Sequence, residues 1–190
     1  MAHHVLEAPV EAEQVRALRA GDTVSVNGVI YTARDAAHKR LVELARKGEP
    51  LPVDLRGQII YYVGPTPAPP GRAVGSAGPT TSGRMDAYTP ALLAMGLRIM
   101  IGKGQRSAEV IEAMKEYVAA YLAVVGGTAA LISKRIKKAE VVAYEDLGAE
   151  AIHRFTVEDF PAIVAIDCHG ANLYETEPLK YALDGEGAGG

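Results

Sequence analysis

Cysteine is almost absent from this chain of 190 residues, in which Cys168 stands alone. A single cysteine excludes an internal disulfide framework and indicates a reducing compartment. It also cannot supply the several thiolates that an iron–sulfur cluster usually needs. No apolar run approaches the roughly 18 residues of a membrane span, and the N-terminus lacks the apolar core of a signal peptide. We therefore expect a soluble, cytoplasmic protein with no membrane partner.

A basic charge excess is missing too. The formal net charge is -3, which argues against nucleic acid as a main partner. Hydrophobic residues make up 48% of the chain, enough for a sizeable core. The length predicts a single domain over residues 1–190, and the glycine-rich tail at 184–190 is expected to be disordered.

Hydrophobic patterns predict alternating strands and helices. Short apolar runs predict strands at residues 5–10, 59–63, 97–101, 141–144 and 162–166. Helical spacing predicts helices at residues 11–18, 36–47 and 108–125, with a short one from Pro90. Asn27-Gly28 predicts a hairpin turn, while residues 128–136 fit either helix or strand. The pattern indicates an α/β or α+β fold with a mixed sheet.

The most distinctive stretch is a glycine-rich loop at residues 71–86, which reads G-R-A-V-G-S-A-G-P-T-T-S-G-R-M-D. Glycines let backbone N–H groups approach a ligand closely. Hydroxyls add hydrogen-bonding groups, and Arg84 offers a planar two-pronged clamp for a carboxylate or phosphate. The composition predicts an anion-binding loop, with a flexible surface connector as the alternative.

Two further cations are predicted at the ends of elements. Arg34 precedes the helix at 36–47, whose N-terminus adds positive potential, although a solvated surface position stays open for it. Lys103 lies between two glycines after the strand at 97–101. Together with Arg84 they would suit a dicarboxylate. Thr80 lies four residues before Arg84, and with cations beside it and a basic partner its hydroxyl could transfer a carbon-bound proton.

A metal site is not predicted in this chain. Asp167, Cys168 and His169 follow one another at the end of a predicted strand. Adjacent strand residues point in alternating directions, so three neighbours rarely converge on one ion. The sequence has no second cluster of histidine and cysteine to support them.

Four motifs occur in order between residues 5 and 174: G-S-A-G-P-T-T-S-G-R-M-D, M-I-G-K-G-Q-R-S, Y-E-D-L-G-A-E-A-I and V-E-D-F-P-A. Together they resemble the β subunit, or C-terminal domain, of iron–sulfur class I fumarate hydratases and the related L(+)-tartrate dehydratases. The resemblance implies a swivelling β/β/α-type domain and reversible hydration of fumarate to (S)-malate. It also implies a [4Fe-4S] cluster held by three cysteines of a partner α subunit, with the active site between the two parts.

The same resemblance implies roles for individual residues. Thr80 matches the catalytic threonine, with the adjacent Thr81 as an alternative or accessory residue. Arg34, Arg84 and Lys103 match the residues that bind the substrate carboxylates. No cluster-bearing segment precedes Met1, so we expect a separate α subunit, an α2β2 assembly and no activity from this chain alone. Tartrate dehydration to oxaloacetate and a non-enzymatic dicarboxylate-binding or assembly module are the alternatives.

Overall fold

The computed structural model describes residues 1–124 and 129–177, which contain seven strands, five α-helices and a further helical stretch at residues 173–177. The strands are β1 (His3–Ala8), β2 (Thr23–Thr32), β3 (Ile59–Tyr61), β4 (Ile99–Gly102), β5 (Ala120–Ala123), β6 (Ile136–Ala143) and β7 (Ile152–Ile166). The helices are α1 (Ala12–Ala17), α2 (Asp35–Lys47), α3 (Thr89–Ala94), α4 (Ala108–Tyr117) and α5 (Ala129–Arg135). Two short 3₁₀ segments lie at Ser82–Met85 and Glu145–Glu150.

The strands form one mixed sheet in the order β1-β2-β3-β4-β5-β7-β6. Strands β1 to β5 run parallel to their neighbours among these five, whereas β7 is antiparallel to β2, β5 and β6. Because β7 pairs with both β2 and β5, the five strands β2, β3, β4, β5 and β7 close into a barrel-like ring. This arrangement confirms the predicted α/β fold with a mixed sheet, of the β/β/α type.

Two hydrophobic clusters lie on opposite faces of the central strands. Ile59 and Tyr61 of β3 belong to the first cluster, while Ile60 and Tyr62 belong to the second. Successive strand side chains point to opposite faces, so a wholly apolar run fills both clusters. The second cluster also contains apolar residues of α2, α3 and α4, and these helices therefore cover one face of the sheet.

The predicted hairpin at Asn27-Gly28 is wrong. Strand β2 continues through both residues and pairs in parallel with β1. Gly28 has φ +89° and lies at an irregularity in the pairing of β2 with β7. A Cβ at Gly28 would lie 2.9 Å from Glu7 Oε1 and 3.1 Å from the Ala8 carbonyl oxygen. The Asn-Gly pair therefore supplies a bulge and a close approach to β1 in place of a turn.

The predicted helix at 108–125 is too long. Helix α4 ends at Tyr117, and Val118 takes a left-handed backbone conformation with φ +55°. The chain then enters strand β5, which is hydrogen-bonded between β4 and β7. A buried strand is apolar on both faces, so its residues continued the apolar stripe of the helix. The predicted helix end at Val125 lies outside the described residues.

Other predicted elements are present as the predicted type but have different bounds in the structure. The strand predicted at 162–166 is the end of the 15-residue β7, and His153, expected in a polar turn, lies within it. The strand predicted at 141–144 is the end of the longer β6. The ambiguous stretch at 128–136 contains helix α5. The tail at 184–190 lies outside the described residues.

Candidate functional site

The loops that follow β2, β3 and β4 meet at the carboxyl edge of the sheet. Arg34 is the N-cap residue of α2, two residues after β2 ends. The Thr80 N–H donates to the Tyr62 carbonyl oxygen, just beyond β3, at 2.7 Å. Lys103 follows β4 and forms an isolated parallel bridge with Thr81. The carboxyl edge of parallel strands is where α/β proteins commonly bind ligands.

Asp35 connects the two predicted arginines. The Arg84 Nε donates to Asp35 Oδ1 at 2.9 Å, and the Arg34 Nε lies 3.8 Å from Asp35 Oδ2. The Arg34 Nε also lies 3.2 Å from Glu150 Oε1. Both arginine side chains remain partly exposed, at 25% for Arg34 and 56% for Arg84. The structure therefore brings Arg34 and Arg84 around one carboxylate, on a surface that a second molecule can reach.

Lys103 and the two threonines lie on neighbouring segments of backbone. The Ser82 N–H donates to the Lys103 carbonyl oxygen at 2.8 Å, next to the bridge between Thr81 and Lys103. Thr81 and Lys103 are exposed, and Thr80 is half-buried. All five residues predicted for the site thus lie on these loops or at the start of α2: Arg34, Thr80, Thr81, Arg84 and Lys103.

Arg106 is buried beneath these loops, a position that the sequence patterns did not predict. The Arg106 Nε donates to Asp86 Oδ1 at 2.7 Å, and its Nη2 donates to Thr89 Oγ1 at 2.8 Å. Its guanidinium lies over the rings of Tyr62 and Tyr121, about 5 Å from each centroid. The Ser107 N–H donates to Asp86 Oδ2 at 2.7 Å. This network fixes the start of α4 to the end of the glycine-rich loop.

A second buried contact joins the glycine-rich loop to the Lys103 loop. Ser82 Oγ lies 2.8 Å from the Tyr121 hydroxyl, which donates to the Gly104 carbonyl oxygen at 2.9 Å. Burial raises the pKa of Tyr121, so its hydroxyl keeps the proton that it donates. The sequence indicated Tyr121 only as one residue of an apolar stripe, because a tyrosine in a core carries no signal of its hydroxyl partner.

His38 supports Arg34 from the interior. Its Nδ1 lies 2.8 Å from the Arg34 carbonyl oxygen and donates to it, while burial lowers the pKa of the imidazole to about 4. The ring is therefore neutral near pH 7. Three buried atoms around this helix start make no hydrogen bond within the described part of the chain: Arg34 Nε, Asp35 Oδ2 and His38 Nε2. The start of α2 thus concentrates polar groups whose hydrogen-bonding capacity is only partly used.

Glycine is required where the loops touch. A Cβ at Gly102 would lie 2.0 Å from Ser82 Oγ and 2.9 Å from the Tyr62 ring. A Cβ at Gly64 would lie 3.2 Å from Arg34 Nη1. A side chain at either glycine would therefore displace groups that shape the site.

The residues that the structure describes do not fit an iron–sulfur cluster. Residues 1–124 and 129–177 contain no group of three or more histidine, cysteine or acidic side chains that could hold a metal ion. Cys168 is buried, and burial raises the pKa of its thiol, which favours the protonated form over the thiolate ligand. Asp167 Oδ1 accepts the backbone N–H groups of His169 and Ala171, so this carboxylate organises a turn.

The chain matches a protein family described as "Fumarase C-terminus" over residues 2–177. It is 40% identical over 173 residues to "Fumarate hydratase 2" of Leishmania major, covering 89% of this chain and 30% of that protein. It is 45% identical over 154 residues to "Fumarate hydratase class I, aerobic" of Escherichia coli K12, covering 80% and 28%. It therefore spans less than a third of these two relatives.

A shorter relative matches almost from end to end. The chain is 38% identical over 169 residues to "Putative L(+)-tartrate dehydratase subunit beta" of Methanocaldococcus jannaschii, covering 86% of this chain and 87% of that protein. None of the helices described in residues 1–124 and 129–177 is long and apolar enough to cross a membrane.

Proposed function

Since the chain belongs to the fumarase C-terminal family, we propose that it is the β subunit of a two-subunit hydro-lyase that reversibly hydrates fumarate to (S)-malate. The observation that carries this proposal is the grouping of Arg34 and Arg84 around Asp35, beside the loops that hold Thr80 and Lys103. Such a group of cations and one hydroxyl fits a dicarboxylate that gains or loses a proton at carbon.

The cations bind and orient the substrate. Fumarate carries two carboxylates on a rigid, planar chain, and guanidinium groups bind carboxylates in a bidentate manner. Arg34, Arg84 and Lys103 provide three positive charges, although both arginines also face Asp35, and Arg34 faces Glu150. Charge also develops on the carboxylate next to the carbon that loses or gains the proton, so the same cations stabilise the transition state.

Thr80 transfers the proton. In the direction of hydration, the oxygen of water bonds to one alkene carbon while the Thr80 hydroxyl gives its proton to the other. The threonine then regains a proton that derives from the added water, so atoms and charge balance. An alkoxide is costly, and the neighbouring cations lower that cost. Thr81 remains the alternative proton carrier.

The cofactor of this proposal is a [4Fe-4S] cluster on a cluster-bearing α subunit, since this chain has only one cysteine. Such a cluster supplies a Lewis acid that activates the hydroxyl group of the substrate. The proposed assembly is α2β2 in the cytoplasm. The relative named as a β subunit, whose length this chain nearly matches, supports a separate partner polypeptide.

Anaerobic reconstitution tests the proposal. The full chain is mixed with its cluster-bearing partner, and fumarate absorbance is followed on addition of (S)-malate. We expect turnover by the pair, none by either chain alone, and a loss of kcat of at least about 100-fold for Thr80→Ala, the scale of lost general acid–base catalysis. Thr81→Ala is the matched control. No turnover by the loaded pair would overturn the activity, and a larger loss for Thr81→Ala would reassign the proton carrier.

L(+)-Tartrate is the second candidate substrate. It is favoured by the near end-to-end match to the M. jannaschii protein. Malate and L(+)-tartrate, supplied together to the reconstituted pair, compete for one site, and the ratio of their kcat/KM values identifies the preferred substrate. Fumarate binding by the isolated chain without turnover of either substrate by the pair would instead support a binding or assembly module.

A further inference from the structure

Asp35 contacts both arginines of the proposed site. Its Oδ1 accepts a hydrogen bond from Arg84 Nε, and its Oδ2 faces Arg34 Nε across 3.8 Å. Arg34 belongs to the junction of β2 and α2, whereas Arg84 lies in the 3₁₀ segment, 49 residues beyond Asp35. One carboxylate therefore joins two segments that share no strand or helix.

The acidic contacts of the two arginines are made at one end of each guanidinium group. The contacts from Asp35 to both guanidinium groups, and from Glu150 to Arg34, are made through Nε. A guanidinium held at Nε can still present its Nη1–Nη2 edge to a carboxylate in a two-bonded pair. Asp35 also separates two like charges that would otherwise repel each other as they converge.

Helix capping alone does not account for this arrangement. Asp35 is the first residue of α2, where a carboxylate interacts favourably with the helix dipole. Yet its Oδ2 is buried without a hydrogen bond within the described residues, and its Oδ1 is committed to a side chain from another segment. An acid that served only the helix would gain by turning both oxygens toward backbone N–H groups or water.

We propose that Asp35 is a positioning residue that aligns Arg34 and Arg84 as one dicarboxylate clamp. This inference rests on the proposed function, because it assigns the two arginines to the substrate carboxylates. Asp35 acts through the arginines and does not touch the substrate. Its removal should therefore weaken substrate binding through lost orientation, while the proton-transferring hydroxyl of Thr80 is unchanged.

Steady-state kinetics of the reconstituted complex test the inference. For Asp35→Ala we expect KM for fumarate to rise at least about tenfold, with a fall in kcat smaller than that rise, because the arginines contact both the substrate and the transition state. Asp35→Asn keeps an oxygen that can accept from Arg84 Nε, and its rise in KM should be smaller. Glu109→Gln, which removes an exposed first-turn acid from α4, is the matched control and should change neither constant.

Nuclear magnetic resonance of the isolated full chain gives a readout that does not depend on turnover. The Nε–H signal of Arg84, assigned by its loss in Arg84→Lys, should shift and exchange faster with water in Asp35→Ala. It should be unchanged in Glu109→Gln. Loss of the acceptor exposes this N–H to solvent, so the change reports the hydrogen bond itself.

The kinetic and resonance measurements together distinguish a failure of the proposed role of Asp35 from a failure of the proposed function. A wild-type complex that turns over, with Asp35→Ala indistinguishable from Glu109→Gln in KM and in the Arg84 signal, overturns the role of Asp35 and leaves the function standing. A fall in kcat with unchanged KM also overturns it. A wild-type complex without turnover overturns the proposed function, and the Arg84 signal then decides whether Asp35 holds the arginine.

Discussion

Ser82 and Tyr121 are joined by a buried hydrogen bond of 2.8 Å between their hydroxyl groups. Ser82 follows Thr80 and Thr81, and Tyr121 belongs to β5. The Tyr121 hydroxyl also donates to the carbonyl oxygen of Gly104, next to Lys103. The Tyr121 hydroxyl thus joins the segment of the threonines to the Lys103 loop, in addition to the backbone bridge between Thr81 and Lys103.

Tyr121→Phe should destabilise the protein by about 1–3 kcal/mol, because it leaves the buried Ser82 Oγ and the partly buried Gly104 carbonyl oxygen without this partner. Urea unfolding of the full chain measures the change. Tyr117→Phe is the matched control, since the Tyr117 hydroxyl pairs with Glu116 at the surface. Equal midpoints for the two variants would mean that the buried hydroxyl contributes nothing to stability.

Gly102→Ala should lower stability and disturb the same junction. Its Cβ would lie 2.0 Å from Ser82 Oγ, a separation that forces the serine or the strand to move. We expect a loss of about 1–3 kcal/mol, the usual cost of overpacking. Gly83→Ala is the control, because the nearest atom to its Cβ, the Gln105 carbonyl oxygen, would lie at 3.7 Å. Denaturant unfolding measures the stability of both variants. A Gly102→Ala midpoint equal to that of Gly83→Ala would contradict the predicted clash.

The positions of the predicted site residues follow from local rules. Arg34 was expected just before the helix predicted at 36–47, and it is the N-cap of α2, because the apolar periodicity places that helix start to within one residue. Lys103 was expected directly after a buried strand, and it follows β4. Their grouping at one sheet edge depends on parallel pairing of β2, β3 and β4, which the sequence did not specify.

The supporting residues could not be predicted, because their partners are distant in sequence. Arg106 reads as a surface cation in the motif G-K-G-Q-R-S, yet it is buried against Asp86, 20 residues away. Tyr121 reads as part of a helix because its stretch is apolar on both faces. Tertiary pairing decides such cases, and local periodicity does not carry that information.

His38 should make stability depend on pH. Burial lowers the pKa of the folded imidazole to about 4, whereas an unfolded histidine titrates near 6.5. Above pH 6.5 both states are neutral and His38 adds no pH dependence. As the pH falls from about 6.5 to about 4, the unfolded chain takes up a proton that the folded chain excludes, so the free energy of unfolding falls by roughly 3 kcal/mol.

The His38 contribution can be isolated by comparing variants. Other groups titrate in the same range, so urea unfolding is measured at about pH 7 and about pH 4 for wild type and for His38→Gln. The free energy of unfolding should differ less between pH 7 and pH 4 in His38→Gln than in wild type, by roughly 2–3 kcal/mol. His3→Gln removes an exposed histidine and should retain the wild-type difference. A His38→Gln variant with the full wild-type difference would contradict the assignment.

Asp86→Ala should be among the most destabilising substitutions in the chain. It removes the carboxylate that faces the fully buried Arg106 side chain, leaving a cation in the core, which typically costs about 3–5 kcal/mol. Glu112→Ala, which breaks the exposed pair with Lys115 on α4, should leave the unfolding midpoint unchanged within error.

The double variant Asp86→Ala/Arg106→Met removes the unpaired charge and should be more stable than Asp86→Ala alone, because an uncharged side chain carries no penalty for an unpaired cation. Thermal and urea unfolding of the three variants check this order. If the double variant were less stable than Asp86→Ala, the contacts of Arg106 with Thr89 and the tyrosine rings would outweigh its unpaired charge.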